Sequence, residues 1–233
     1  MYLGGNRVEI INESINDRFP CKEFRRWINY IKNESLSTDL YEKDLEWIKK
    51  CTTLKIDLPQ YESPLGQIKK LDGIELFENL ELLDCSLHMV IKKLDVSANK
   101  KLKYLNCSIN HIHKLYLPPS IEILDCSCNP LSKLKLFYAK DLKILDCNFT
   151  NIKRLNLKEN NLLERVDVSN SDLHTIIFNR NIKLKSLYCP YTDLKATELF
   201  EQYPFIQEIY DMEQEIEFLN DMDREIKSSI LKK

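Results

Sequence analysis

From Leu80 to Leu194 the chain returns six times to one arrangement of apolar and polar positions. The opening apolar residues are Leu80, Leu102, Ile121, Leu142, Leu163 and Leu184, with a weaker seventh start at Ile206, so the spacings are 22, 19, 21, 21, 21 and 22 residues. Count each opening residue as position 0. Positions 3 and 5 are then apolar: Leu83/Cys85, Leu105/Cys107, Leu124/Cys126, Leu145/Cys147, Val166/Val168 and Leu187/Cys189. Such alternation predicts a short strand with one buried face. Position 8 is small or planar and polar (His88, Asn110, Asn129, Thr150, Ser171, Thr192), suited to satisfying backbone groups inside a turn that water cannot reach. Position 10 is apolar again: Val90, Ile112, Leu131, Ile152, Leu173 and Leu194. A second apolar pair follows at positions 13 and 15, from Leu115/Leu117 to Ile176/Phe178; one extra residue in the first repeat moves its pair to Leu94/Val96. Too little chain is left in each repeat for a full helix, so the outer side is expected to be extended or in short turns. Units that cannot bury a face alone must stack, and the periodicity predicts a solenoid.

The flanks follow a different period. Phe24, Trp27, Ile28 and Ile31 are spaced i, i+3, i+4, i+7, which predicts a helix starting near Pro20, with Asp17 just upstream. A second helix is expected from about Asp39 to Lys50, with Asp39 and Glu42 as a capping box and Leu45 and Ile48 facing inward. Val8 to Ile11 could add an edge strand. Leu54, Ile56 and Leu58 read as a strand in register with the later coils, PQYESPLGQ as a loop, and Ile68, Leu71, Ile74 and Leu76 as the rest of a divergent first coil. At the other end Met212, Ile216, Leu219, Met222, Ile226 and Ile230 describe an amphipathic helix. Its simplest task is to cover the open end of the coil; dimerisation through it is the alternative. The division expected is a helical cap over 1–53, about seven to eight coils over 54–210 and a capping helix over 211–233.

A period near 21 with L-x-x-L-x-L/C-x-x-N-x-L is the leucine-rich-repeat signature. LDGIELFENLELLDCS and the coils that follow resemble the short, cysteine-containing leucine-rich repeats of bacterial proteins. FPCKEFRRWI and DLEWIKKCTTLKI resemble the helical cap that precedes such repeats. The resemblance covers most of the chain. It implies a right-handed, mostly β coil with a parallel concave sheet and helical caps at both ends. For function it implies a scaffold for protein recognition.

Composition narrows the choices. Five of the eight cysteines occupy position 5 and Val168 fills the same slot, so they are expected to be a buried, reduced column rather than a disulfide framework. Cys128 shares its slot with Leu87, Ile109 and Phe149, which implies apolar packing there too. Neither Cys126-Ser127-Cys128 nor His111-x-His113 follows zinc spacing, so no metal or cofactor is expected. His88 takes the polar slot of the turn. Gly-rich phosphate loops and nucleophile elbows are absent from the sequence, and an enzyme is not expected. A net charge of −2 disfavours nucleic acid and anionic membrane as partners of the whole chain. MYLGGNRVEIINESINDRF lacks a basic region followed by an apolar core, which suggests a cytoplasmic location, with secretion open if a leader precedes it.

The outward strand positions carry the functional expectation. Position 2 is Leu82, Tyr104, Ile123 and Ile144 in four successive coils, then Arg165 and Ser186; position 4 is Asp84, Asn106, Asp125, Asp146, Asp167 and Tyr188. An apolar stripe beside an acidic one is expected to be a contact site on the concave face. Lys92, Lys93, Lys114, Lys133, Lys135, Lys153 and Arg154 follow the turn toward the convex side. The pattern points to a monomeric, non-enzymatic module that binds a protein partner, with an inhibitor or immunity role fitting its small size. The alternatives are a secreted or injected bacterial factor acting on a host protein, and a nucleic-acid binder using the basic convex edge.

Overall fold

A computed structural model describes residues 14–33, 35–56, 66–179 and 184–211. The expected patch at Val8–Ile11, Leu58 and the helix over 211–233, save Asp211, lie outside the described residues. Helix α1 spans Lys22–Asn33 and α2 spans Leu45–Lys50, the latter entered through a single 3-10 turn at Glu42–Asp44. The cap of that turn sits two residues later than expected: the Tyr41 amide donates to Asp44 Oδ2 at 2.8 Å, while Asp39 Oδ1 accepts from Asn16. Phe24, Trp27 and Ile28 are buried, but Ile31 is exposed, because α1 runs beyond the surface it covers. Phe19, Phe24, Trp27 and Phe77 form one aromatic cluster that seats α1 on the first coil. Gly73 is required beside it. Its φ is 100°, and a Cβ would stand 2.3 Å from a Phe19 ring carbon.

The strands in chain order are β1 (Thr53–Lys55), β2 (Leu82–Asp84), β3 (Lys93–Asp95), β4 (Tyr104–Asn106), β5 (Lys114–Tyr116), β6 (Ile123–Asp125), β7 (Ile144–Asp146), β8 (Arg154–Leu157), β9 (Arg165–Asp167), β10 (Thr175–Phe178), β11 (Ser186–Tyr188) and β12 (Glu208–Tyr210). Eight of them form one parallel sheet in the order β1-β2-β4-β6-β7-β9-β11-β12. Each repeat contributes one strand, paired in register with the same positions of its neighbours: Leu82 with Tyr104, Tyr104 with Ile123, Ile123 with Ile144. Two short parallel pairs, β3 with β5 and β8 with β10, lie on the outer side, which is otherwise extended or in turns as expected. The last coil departs from this. A seven-residue helix, α3 (Ala196–Gln202), crosses it and buries Ala196, Leu199 and, just past its end, Tyr203.

The core is a stack of layers. Opening residues and positions 3 and 5 are buried in every coil, so each strand presents one apolar face inward. Position 10 is buried in four coils; in the first, Ile91 takes the place expected for Val90, because the extra residue is absorbed by a second left-handed residue at Met89. The polar slot works as expected. Asn110 Nδ2 donates to the carbonyls of Cys85, Cys107 and Ser108, and Asn129 Nδ2 to those of Cys107, Cys126 and Ser127, at 2.9–3.2 Å. Thr150, Ser171 and Thr192 use hydroxyls on the position-5 carbonyl of their own coil. His88 Nε2 lies 3.0 Å from the Ile56 carbonyl and ties the first regular coil to its predecessor. Among the described residues no helix is long and apolar enough to cross a membrane.

Candidate functional site

The outer face of the eight-stranded sheet is organised as columns. Because one strand comes from each coil, a residue position in the repeat becomes a line of side chains about 4.8 Å apart. Position 1 reads Glu81, Lys103, Glu122, Lys143, Glu164, Lys185, and the alternating signs pair between strands: Lys143–Glu122 and Lys185–Glu164 at 2.6 Å, Lys103–Glu122 at 3.7 Å. These exposed pairs keep Glu122 and Glu164 below the ordinary carboxylate range, chiefly through the hydrogen bonds from Lys143 and Lys185. The alternation is plain in the sequence once register is known.

Position 2 places Leu82, Tyr104, Ile123 and Ile144 on adjacent strands in one outward line, continued by Arg165 and Ser186. Ile144 is 37% exposed and the other three are half-buried. Burial pushes the Tyr104 hydroxyl up, with Asp84 and Asp125 adding to the effect, so the stripe lies against the acidic column.

Position 4 carries one sign only: Asp84, Asp125, Asp146 and Asp167, with Asn106 between the first two. Each also has a local task. Asp84, Asn106, Asp125 and Asp167 accept from the amide and hydroxyl of the serine two residues on, at 2.5–3.1 Å, and Asp146 accepts from the Asn148 amide. The column therefore holds the strand-ending turn. Asn106 shows that a neutral side chain performs that task as well. Asp146 sits between two carboxylates, and burial, with Asp167 and Asp125 added, pushes its carboxyl up to about 6. Past Asp167 the column becomes aromatic. Tyr188 stacks on Tyr210 with ring centres 4.6 Å apart, and the Arg165 guanidinium lies 5.0 Å over Tyr188.

Position 5 is the cysteine column. Cys85, Cys107, Cys126, Cys147 and Cys189 are free and buried, and burial pushes every one of their thiols up, Cys189 to about 12. Cys128 is the correction. It does not pack but is exposed, and so are Leu87, Ile109 and Phe149 in the same slot. Position 7 is the one place where every regular coil adopts a left-handed backbone: Leu87, Ile109, Cys128, Phe149, Asn170 and Tyr191 have φ between 49° and 66°. Residues other than Gly, Asn and Asp are costly there, by roughly 1–2 kcal/mol each. No periodicity argument reveals the slot, since apolar recurrence normally means burial. The available signal was the shortage of glycine: four in 233 residues.

Among the described residues no cluster of His, Cys, Asp or Glu could hold a metal ion. His111 and His113 are exposed. Lys92, Lys93, Lys114, Lys133, Lys135, Lys153 and Arg154, expected toward the convex side, are exposed too, and Lys93 lies 5.5 Å over the Tyr116 ring.

No family model matches the chain, and no curated protein does. Solved structures do. Internalin InlF of Listeria monocytogenes superposes with a TM-score of 0.61 at 16% identity, covering 88% of this chain and 59% of that one. Internalin C2 of the same organism superposes with 0.62 at 17%, covering 87% and 92%. The LRIM1/APL1C complex gives 0.50 at 18%, over 64% of this chain and 36% of that one. This chain thus spans 59% of the length of InlF. These likenesses are of fold: like the internalins, the chain is a stacked parallel β-solenoid of the leucine-rich-repeat kind.

Proposed function

We propose that the chain is a non-enzymatic protein-binding module that grips a protein partner on the outer, concave face of its eight-stranded sheet. One observation carries this: Leu82, Tyr104, Ile123 and Ile144 stand in register on four adjacent strands, where a solvated sheet face ordinarily alternates to polar. The acidic column beside them suits a partner with apolar anchors and a basic rim. Desolvated apolar centres dominate binding energy, while the charges set approach and orientation. The solved relatives in fold include a two-protein complex, LRIM1/APL1C, which is in keeping with a binding scaffold. A monomer capturing its partner one to one, as an inhibitor or immunity protein does, fits this arrangement.

The test is affinity capture from native lysate with identification by mass spectrometry, followed by titration of the captured partner. The pair Tyr104→Ala with Ile144→Asp is expected to leave thermal unfolding nearly unchanged and weaken binding by about 2 kcal/mol or more. Lys114→Glu with Lys133→Glu, on the opposite side, is expected to do little. Loss of the partner with the lysine changes and its retention with the concave ones would assign binding to the wrong face here.

A further inference from the structure

The position-7 backbone is dictated by the ladder. The amides of Leu87, Ile109, Cys128, Phe149 and Asn170 each donate to the position-6 carbonyl of the next coil at 2.9–3.0 Å, which holds the turn left-handed. The side chains are not dictated by it. Asn170 has a residue type that this conformation tolerates; Leu87, Ile109, Phe149 and Tyr191 do not, and Ile109 is β-branched besides. Nor does packing require them, since these four are 37% to 57% exposed. Backbone strain and apolar exposure coincide at one slot, coil after coil. A strained position that also wastes apolar surface points to contact with something outside the chain.

We propose that this ridge is the anchoring rail for an amphipathic helix of a protein partner, whose apolar stripe is flanked by Lys and Arg. This deepens the concave-face reading and rests on it. Two features fix the partner's chemistry. The first is spacing. Ridge side chains recur at the strand spacing of about 4.8 Å. A helix lying along the solenoid axis presents a side chain of its stripe every three or four residues, about 4.5–6 Å of rise, so the two combs interlock. A partner strand would offer one side chain per roughly 6.6 Å and would slip out of step. The second is charge. The ridge runs beside the column of Asp84, Asp125, Asp146 and Asp167, close enough that Asp125 and Asp146 both raise the Cys128 thiol, after burial. Unlike position 1, where signs alternate and pair, this column offers only negative charge to an incoming helix.

The experiment uses three synthetic helical peptides as probes: a Leu stripe with Lys/Arg flanks, the same stripe with Glu flanks, and the same Lys/Arg flanks with Gln in place of the stripe. Binding is read by calorimetry at physiological salt. The first peptide is expected to bind and the other two to bind at least about tenfold more weakly. Ile109→Asn with Phe149→Asn is expected to cut binding of the first peptide at least about tenfold while the melting temperature holds or rises, since Asn relieves the backbone. A fall in melting temperature would show that these side chains hold the fold, and would overturn the proposal. If the ridge variant binds as the wild type does while Tyr104→Ala with Ile144→Asp loses the peptide, the ridge assignment is wrong and the concave reading stands. If no probe binds, or neither pair of substitutions matters, both are overturned.

Discussion

Cys126 and Cys128 are the same side chain two residues apart, and they lie on opposite sides of a boundary. Cys126 directly follows strand β6, is buried and joins a column of buried thiols; Cys128 itself takes the left-handed conformation and faces solvent. Both slots recur with the repeat and both are mostly apolar, so in the sequence they look like two core columns. The difference lies in the backbone. After position 5 the chain turns while its amides continue to bond to the next coil, and the turn rotates position 7 out of the core. In a solenoid, recurrence identifies a column, and dihedral angles decide which side of the surface it belongs to.

The strongest way to break this contrast is to place a charge on each side. Cys126→Asp is expected to cost about 3–5 kcal/mol, because an unpaired carboxylate is forced into a dry layer between Cys107 and Cys147. Cys128→Asp is expected to stay within about 1 kcal/mol of the wild type, as surface changes do. Urea unfolding of the two variants side by side measures both, and equal destabilisation would abolish the distinction. Thiol-reagent labelling gives the same contrast without mutation: Cys128 is expected to react in the folded protein, and Cys85, Cys107, Cys126 and Cys147 only on unfolding.

A smaller effect separates the acidic column from the ion-paired one. The folded-state pKa of Asp146 is raised from 3.8 to about 6. The folded protein therefore binds this proton more readily than the unfolded chain. Its stabilising contribution is full below about 3.8 and is lost as pH rises through 6. After discounting for its partial solvation, stability is expected to rise by about 1 kcal/mol on going from neutral pH to about pH 5, and Asp146→Asn to flatten that slope. A slope unchanged in the Asn variant would place the titration elsewhere.

The least effect is expected within the cysteine column itself. Cys107→Val should change stability by less than about 1 kcal/mol, since it adds only about a methyl group's volume and Val168 already serves in that slot. A larger loss, seen as a shift of the urea midpoint, would mean that sulfur contributes something there beyond filling space.

Much of this molecule was legible from its residues. Leu83, Cys85 and their equivalents alternate because one strand face is buried, and a fixed period near 21 leaves stacking as the only way to bury it. Asn110 and Asn129 were legible as turn residues because a buried amide must have work to do. The first cap helix was legible from Phe24, Trp27 and Ile28, though not where its buried face ends at Ile31, which depends on how far the first coil reaches beneath it. Helix α3 was missed because seven residues offer too short a period to outweigh the extended pattern of the earlier coils.

The sequence by itself thus determined the unit, the period and the inward face, since these follow from apolar burial within one repeat. Only the tertiary structure decided what neighbouring units do to each other. Register turned position 1 into a ladder of paired charges and position 4 into a column of like charges, where burial first and the neighbouring carboxylates second lift Asp146. The continued hydrogen-bond ladder forced position 7 into a left-handed turn and set Leu87, Ile109, Cys128, Phe149 and Tyr191 on the outside. Those features belong to pairs of coils held side by side, and residues about 21 apart do not interact until the chain has folded.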